Sequence, residues 1–330
     1  MHLGLTTSSS TCAGLVFGLL TGCFASPPTA SEDGATSTSG ATTSPDATTG
    51  EDDSSSTGSG STGLDTTGTT GTGSTSTGTD TTDGDDSNGT PGDCMPIPDM
   101  ACIPSGSFTR GTLPDGMAPV DESPQEEVLL SAFNIDRYEV TVAEYAACEA
   151  DGPCTVRGAT VGEDPCATQD DHPANCVTWE QAATYCTWAG KQLPTEAQWE
   201  RAARGRSGGT FPWGTDEPAC NLAVFLGCTS TSPTAPVGSR SPMGDSPDGL
   251  ADVAGNVFEW TADWYAPNAY EVDPNEDPVG PPTGTERVVR GGFYGSSAVE
   301  LRAARRQPFG PMNASSGIGF RCAAPAPSAP

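Results

Sequence analysis

The chain has 330 residues, with 43 Asp and Glu against 14 Lys and Arg, a formal net charge of -29. Contact with phosphate needs clustered Lys and Arg, so this balance argues against nucleic acid and anionic lipid surfaces as partners. Residues 24–93 are almost entirely Ser, Thr, Gly, Asp and Pro, with twelve acids and no base, which leaves roughly 235 residues to form a single core.

The amino terminus carries a short apolar run, Ala13 to Leu20 (AGLVFGLL), too short to span a bilayer but of the length of a signal-peptide core. It leads into Leu20-Thr21-Gly22-Cys23, which resembles a bacterial lipobox, although the leader contains no Lys or Arg. Residues 1–22 are therefore expected to be a lipoprotein signal peptide and Cys23 the lipidated residue; an ordinary signal peptide with a chance cysteine is the alternative. Acyl chains supply about 0.8 kcal/mol per buried methylene, enough in combination to hold a protein on a membrane. With Phe24 rather than Asp after Cys23, the expected location is exported and lipid-anchored, at the bacterial outer membrane or cell surface. Residues 23–93 lack large apolar side chains apart from Phe24 and Leu64, so they are expected to stay disordered. As a flexible tether they would span about 45 Å; a mucin-like glycosylated stalk is the alternative reading.

In the remainder, three helix starts share one signature. Thr141 to Glu144, Thr178 to Gln181 and Thr195 to Gln198 each fit a capping box, in which the Thr hydroxyl and the third residue satisfy free backbone amides. The second helix would present Trp179, Ala182, Cys186 and Ala189 on one face and stop at Gly190; the third would present Trp199, Ala202 and Ala203 and stop at Gly205. Strands are expected at 106–110, 133–138, 287–291 and 319–322. Gly and Pro are dense elsewhere, so an α+β domain with much irregular coil follows.

Cysteine usage fits export. Of twelve Cys, removing Cys12 and Cys23 leaves ten, with no CxxC and one His beyond the leader. Five disulfides are the natural reading rather than a zinc site. Proximity suggests Cys94 with Cys102, Cys148 with Cys154, Cys166 with Cys176 and Cys220 with Cys228, leaving Cys186 and Cys322, but the sequence alone does not fix the connectivity.

Eight ordered blocks then carry a family resemblance. They are IPSGSF (103–108), FNIDRYEVTVAEY (133–145), HPANCVTWEQAATYCTWAGKQLPTEAQWERAARG (172–205), FPWG (211–214), APVGS (235–239), DVAGNVFEWTADWY (252–265), RVVRGGFY (287–294) and GFRC (319–322). Together they resemble the formylglycine-generating, or sulfatase-modifying factor, family over 94–323, with 324–330 left as a disordered tail. The resemblance implies the family's variant of the C-type-lectin-like fold. It also places the family's disulfide between the YCxW and GFRC segments on Cys186 and Cys322.

The family's enzymes convert a sulfatase cysteine to formylglycine with copper and dioxygen, through two cysteines after the RGG motif. Here that segment reads RGGFYGSSAVELRAARRQ. The first cysteine aligns with Ser296 and the second falls near Leu301. A serine hydroxyl is a hard, protonated donor and cannot replace a thiolate on Cu(I), so copper and its oxidation chemistry are not expected and no catalytic residue is assigned. The family's calcium loop places Asp252, Gly255, Val257 and Glu259 at the ligand positions, two carboxylates and two backbone carbonyls that suit Ca²⁺. The competing reading pairs Glu259 with an Arg. A second calcium site matches only at Asn221 and Leu222. His172 is expected to be structural, the tryptophans to pack in the core, and Asp263 to pair with Arg302 or Arg305. A groove framed by Tyr294, Gly295, Ser296, Ser297 and Arg302 is the expected ligand surface, for an extended peptide or a glycan. The function expected is a lipid-anchored binding or scaffold module of this family, the alternative being an active oxidoreductase.

Overall fold

The computed structural model describes residues 94–113, 119–162, 164–229 and 232–327. The expected signal peptide, Cys23 and linker lie outside them. Among the described residues no helix is long and apolar enough to cross a membrane.

The three capping boxes form as the sequence predicts. Helix α1 spans Val142–Asp151, α2 Trp179–Trp188 and α3 Glu196–Arg204, each opened by its Thr hydroxyl accepting the third backbone N–H, with the Glu or Gln side chain returning to the cap. Gly152, Gly190 and Gly205 follow the three helices with φ of 103°, 71° and 69°, a region that favours glycine.

Short strands fill the spaces between the helices. Strands β1 (Met100–Ile103), β4 (Phe133–Asp136) and β9 (Ala323–Pro325) form one antiparallel sheet with β4 central. Strands β2 (Gly106–Arg110) and β3 (Glu126–Leu130) form a two-stranded ribbon. The third sheet runs β7 (Gln307–Phe309), β6 (Arg287–Arg290), β5 (Phe258–Trp264), β8 (Ile318–Gly319), with β5 and β8 parallel. A four-residue helix, α4, covers Ala269–Val272.

Strand 106–110 lies where expected. The expected strand at 319–322 is a correction: pairing is confined to Ile318–Gly319 and resumes at Ala323–Pro325. The domain also extends past residue 323. Ala323 and Ala324 register with Ile135 and Asn134, and the Ala326 N–H donates to the Ala132 carbonyl, so residues 324–326 are held by backbone pairing rather than released as a tail.

Two apolar clusters make up most of the core. One lies beneath β1 to β4 against Trp199, Ala202 and Ala203 of α3. The other packs Tyr145 of α1 and Ala182, Tyr185 and Cys186 of α2 against Trp260, Val289, Ile318 and Phe320. Of the six tryptophans, Trp199 and Trp260 are fully buried and the others half-buried. All five disulfides form as expected, Cys94–Cys102, Cys148–Cys154, Cys166–Cys176, Cys220–Cys228 and Cys186–Cys322. The last joins α2 to the C-terminal segment, where Asp136 accepts the Cys322 N–H at 2.9 Å and meets Lys191 at 2.6 Å.

Candidate functional site

Strand β6 ends at Arg290, and the RGG turn follows with Gly291 and Gly292 at φ of 92° and 78°. This turn sits over Ser296 and Leu301. A Cβ placed on Gly292 would lie 2.7 Å from Leu301 Cδ2 and 3.4 Å from Ser296 Oγ, so the two side chains flank one point, which glycine alone leaves open. The two positions that the resemblance implies for the thiol pair are thus neighbours in space.

Their chemistry is different. Ser296 Oγ accepts the Phe293 N–H at 3.2 Å, and the Ser296 N–H donates to the Phe293 carbonyl at 2.9 Å. Leu301 is fully buried and packs with Phe211, Ala223 and Ala254. Neither offers a soft donor.

The expected groove is not open at its centre, which corrects that expectation. Ser296 is only 1% exposed. The loop closed by Cys220–Cys228 lies against it: the Leu226 N–H donates to the Ser296 carbonyl at 3.1 Å, and Phe225 packs on the Leu301 cluster. Arg302 turns away to hold the buried Glu122 through two bonds of 2.6 and 2.8 Å. Tyr294 donates to Asp164 at 2.9 Å and lies 3.1 Å from Ser316 Oγ. Ser297 caps the short 3-10 turn Ala298–Leu301 with Glu300.

Behind the turn lies a buried ion network that sequence reasoning missed. Arg290 donates to Glu196 at 3.1 Å, to Glu200 at 2.6 Å and to the carbonyls of Ala303 and Ala304. Arg306 holds Glu196 by two bonds of 2.7 and 2.9 Å, and Arg204 holds Glu200 at 2.8 Å. Burial pushes Glu200 upward, but Arg290, Arg204 and the Gly111 N–H outweigh it and hold the carboxylate at about 2. The signal was present in α3, whose Glu196, Glu200 and Arg204 recur every four residues. Such spacing also fits a solvent-exposed ion-paired face, which made the inward face unreadable.

Asp263 corrects another expectation. It pairs with neither Arg302 nor Arg305; its carboxylate accepts the Glu196 N–H at 2.7 Å at the start of α3. Burial, with the Glu196 charge adding to it, pushes the group up to about 8. His172 is structural as expected, buried with Nδ1 2.8 Å from Thr234 Oγ1.

The calcium positions sit on the loop before β5. Gly255, at φ 85°, passes so close to the Val224 carbonyl that an added Cβ would lie 2.3 Å from its oxygen. Glu259 is held by Arg321 through bonds of 2.7 and 2.8 Å and by Trp199 Nε1 at 2.8 Å, the Arg pairing that was the competing reading. Three buried acids, Glu139, Asp252 and Glu259, share the one guanidinium of Arg321. Burial and its two acidic neighbours push Glu139 well above its ordinary range, and burial above all takes Asp252 to about 6. By type alone, the Asp252 carboxylate, the Gly255 and Val257 carbonyls, and a lone pair of Glu259 not used by Arg321 or Trp199 are oxygens of the kind calcium takes, while among the described residues no group of three or more His, Cys, Asp or Glu is placed to hold a metal ion. Asn221 and Leu222 make no comparable set: Asn221 is exposed, its amide nitrogen 3.9 Å from Met243 sulfur, and the Leu222 carbonyl closes over Gly244.

Residues 88–326 match the sulfatase-modifying factor enzyme 1-like domain. The chain belongs to this family. It is 35% identical over 277 residues to the formylglycine-generating enzyme of Streptomyces coelicolor, covering 67% of this chain and 87% of that protein. It is 34% identical to the serine/threonine-protein kinase pkn1 of Chlamydia pneumoniae, covering 68% of this chain but 38% of that protein. Among solved structures, PvdO from Pseudomonas aeruginosa superposes with a TM-score of 0.61 at 30% identity, covering 68% of this chain and 94% of that one. The fold is the formylglycine-generating-enzyme type, α+β with much irregular coil and five staples.

Proposed function

We propose that this protein is a non-oxidising member of the sulfatase-modifying factor family, exported, anchored to a membrane by lipid at Cys23 and used as a binding or scaffold module. The observation that carries the reading is the pair beside Gly292, a serine hydroxyl and a leucine side chain where Cu(I) chemistry needs two thiolates. The test is incubation of the purified chain with copper, dioxygen and a peptide bearing the sulfatase motif, followed by mass spectrometry. No aldehyde is expected, and its appearance would refute the reading. The 35% identity to a formylglycine-generating enzyme keeps the oxidoreductase as the second reading, and the same experiment decides between them. Lipidation at Cys23 is checked by the mass of the mature amino terminus. Calcium at Asp252, Gly255, Val257 and Glu259 belongs to the same proposal, as a structural ion.

A further inference from the structure

Away from the inherited site, helix α2 turns a stripe outward. Glu180, Thr184 and Trp188 follow one another at intervals of four, so they stand in line along one helical face. Pro153, Thr155 and Thr160 face the stripe across a trough. One end is a cavity of about 600 Å³ reaching Thr160, and the other a cavity of about 340 Å³ beside Thr187 and Trp188, with Pro153, Glu180 and Thr184 common to both. These volumes lie in the range of ligand sites.

The far wall is prebuilt. The Cys148–Cys154 bridge fixes its start. Gln181 Nε2 donates to the carbonyls of Thr155 and Val156 at 3.4 and 3.1 Å and to Thr155 Oγ1 at 3.0 Å. Arg157, the base on this wall, points inward, its guanidinium donating to the carbonyls of Asn175 and Ala167 at 3.0 and 3.2 Å. Glu180 and Thr184, by contrast, make no side-chain hydrogen bond or ion pair among the described residues. Trp188 leans on Tyr185 with ring centroids 5.5 Å apart and donates its Nε1–H to Asp151 at 3.2 Å, which brings a second carboxylate to the far end. Eight residues of helix separate Glu180 from Trp188, about 12 Å, the reach of roughly four extended residues.

We propose that this trough binds an extended basic segment of a partner protein, one Lys or Arg side chain laying its stem along Pro153 and its cation on Glu180, and a second lying over Trp188. The assignment rests on reading the domain as a binding module. A carboxylate without a partner at one end of the trough and an indole at the other each favour a cation. The chain's net charge of -29 draws basic segments in and turns acidic ones away. The Thr184 hydroxyl, which has no partner among the described residues, can meet the peptide backbone.

The test titrates the full chain with an end-blocked Gly-Lys-Ala-Lys-Gly peptide, its Gly-Glu-Ala-Glu-Gly counterpart and a neutral oligosaccharide, following tryptophan fluorescence and heat. The lysine peptide alone should bind, about three- to tenfold more weakly to Glu180→Gln, and more weakly again as salt rises from about 50 to about 500 mM. Thr184→Tyr fills the trough without removing a contact of the fold and should abolish binding, whereas Glu271→Gln, at an exposed position of α4, should change nothing. Equal affinity in Glu180→Gln and Thr184→Tyr, binding of the acidic peptide, preference for the oligosaccharide, or no binding at all would overturn the proposal. Aldehyde formation is read separately, so a surviving oxidase activity and an empty trough are distinct failures.

Discussion

Replacing Asp263 by Asn should make the stability of the fold less sensitive to pH. In the native protein this carboxyl is buried beside Glu196 and ionises at about 8, against an ordinary value near 3.9 in an unfolded chain. That is roughly four pH decades, and at 1.36 kcal/mol each the preference of the folded state for the proton is on the order of 5 kcal/mol. Because the folded pKa lies above the unfolded one, the contribution is fully present below about pH 4 and declines as pH rises. The decline ends near pH 8, where both states have lost the proton. Glu200, held at about 2, acts only in acid and does not blur this window. Asparagine keeps an acceptor for the Glu196 N–H and removes the ionisation. Urea unfolding of the full chain and the variant at intervals from pH 5 to 9 gives the difference directly. The variant should gain on the native protein by several kcal/mol between the two ends. A difference that stayed constant from pH 5 to 8 would refute the assignment of a protonated, buried Asp263.

Three further outcomes follow from the same structure. Converting Ser296 and Leu301 together to Cys should create a Cu(I) site, measured by competition with a chromogenic chelator, at a cost of about 2 kcal/mol for the trimmed leucine. Opening the Cys186–Cys322 bridge by Cys322→Ala should destabilise the domain by roughly 4 kcal/mol in denaturant melts, because the residues are 136 apart and the unfolded chain regains that loop's freedom. Chelation of calcium should lower the melting temperature, and Asp252→Asn should lose most of that response; an unchanged melting point would remove calcium from the account.

Local chemistry proved legible in the sequence, and long-range partnership did not. The three Thr-headed helix starts could be read because a capping box is complete within four residues. The short disulfides were readable from neighbouring cysteines for the same reason, while Cys186–Cys322 emerged only as the pair left over, with which the resemblance agrees. Strand β5 escaped because FEWTADW is buried on both faces over much of its length and carries acids that only Arg321 and the start of α3 explain. Arg302 offered no local clue that its partner was Glu122, 180 residues earlier. The groove around Ser296 failed for a related reason: its cover comes from the 220–228 loop, and nothing in the RGG segment announces that Leu226 will lie against it. Glu180 was invisible as a candidate, since an acid in the first turn of a helix is an ordinary dipole partner.

The spacing of the five bridges also dictates an order of assembly as the chain emerges. Four of them join cysteines no more than ten residues apart, and each can close as soon as its own short stretch emerges into an oxidising space. Cys186 must wait, unpaired and bracketed by cysteines that have already found their neighbours, until Cys322 arrives. During that interval it is the thiol most open to capture by the wrong partner, so disulfide isomerases should matter for this one late closure far more than for the other four.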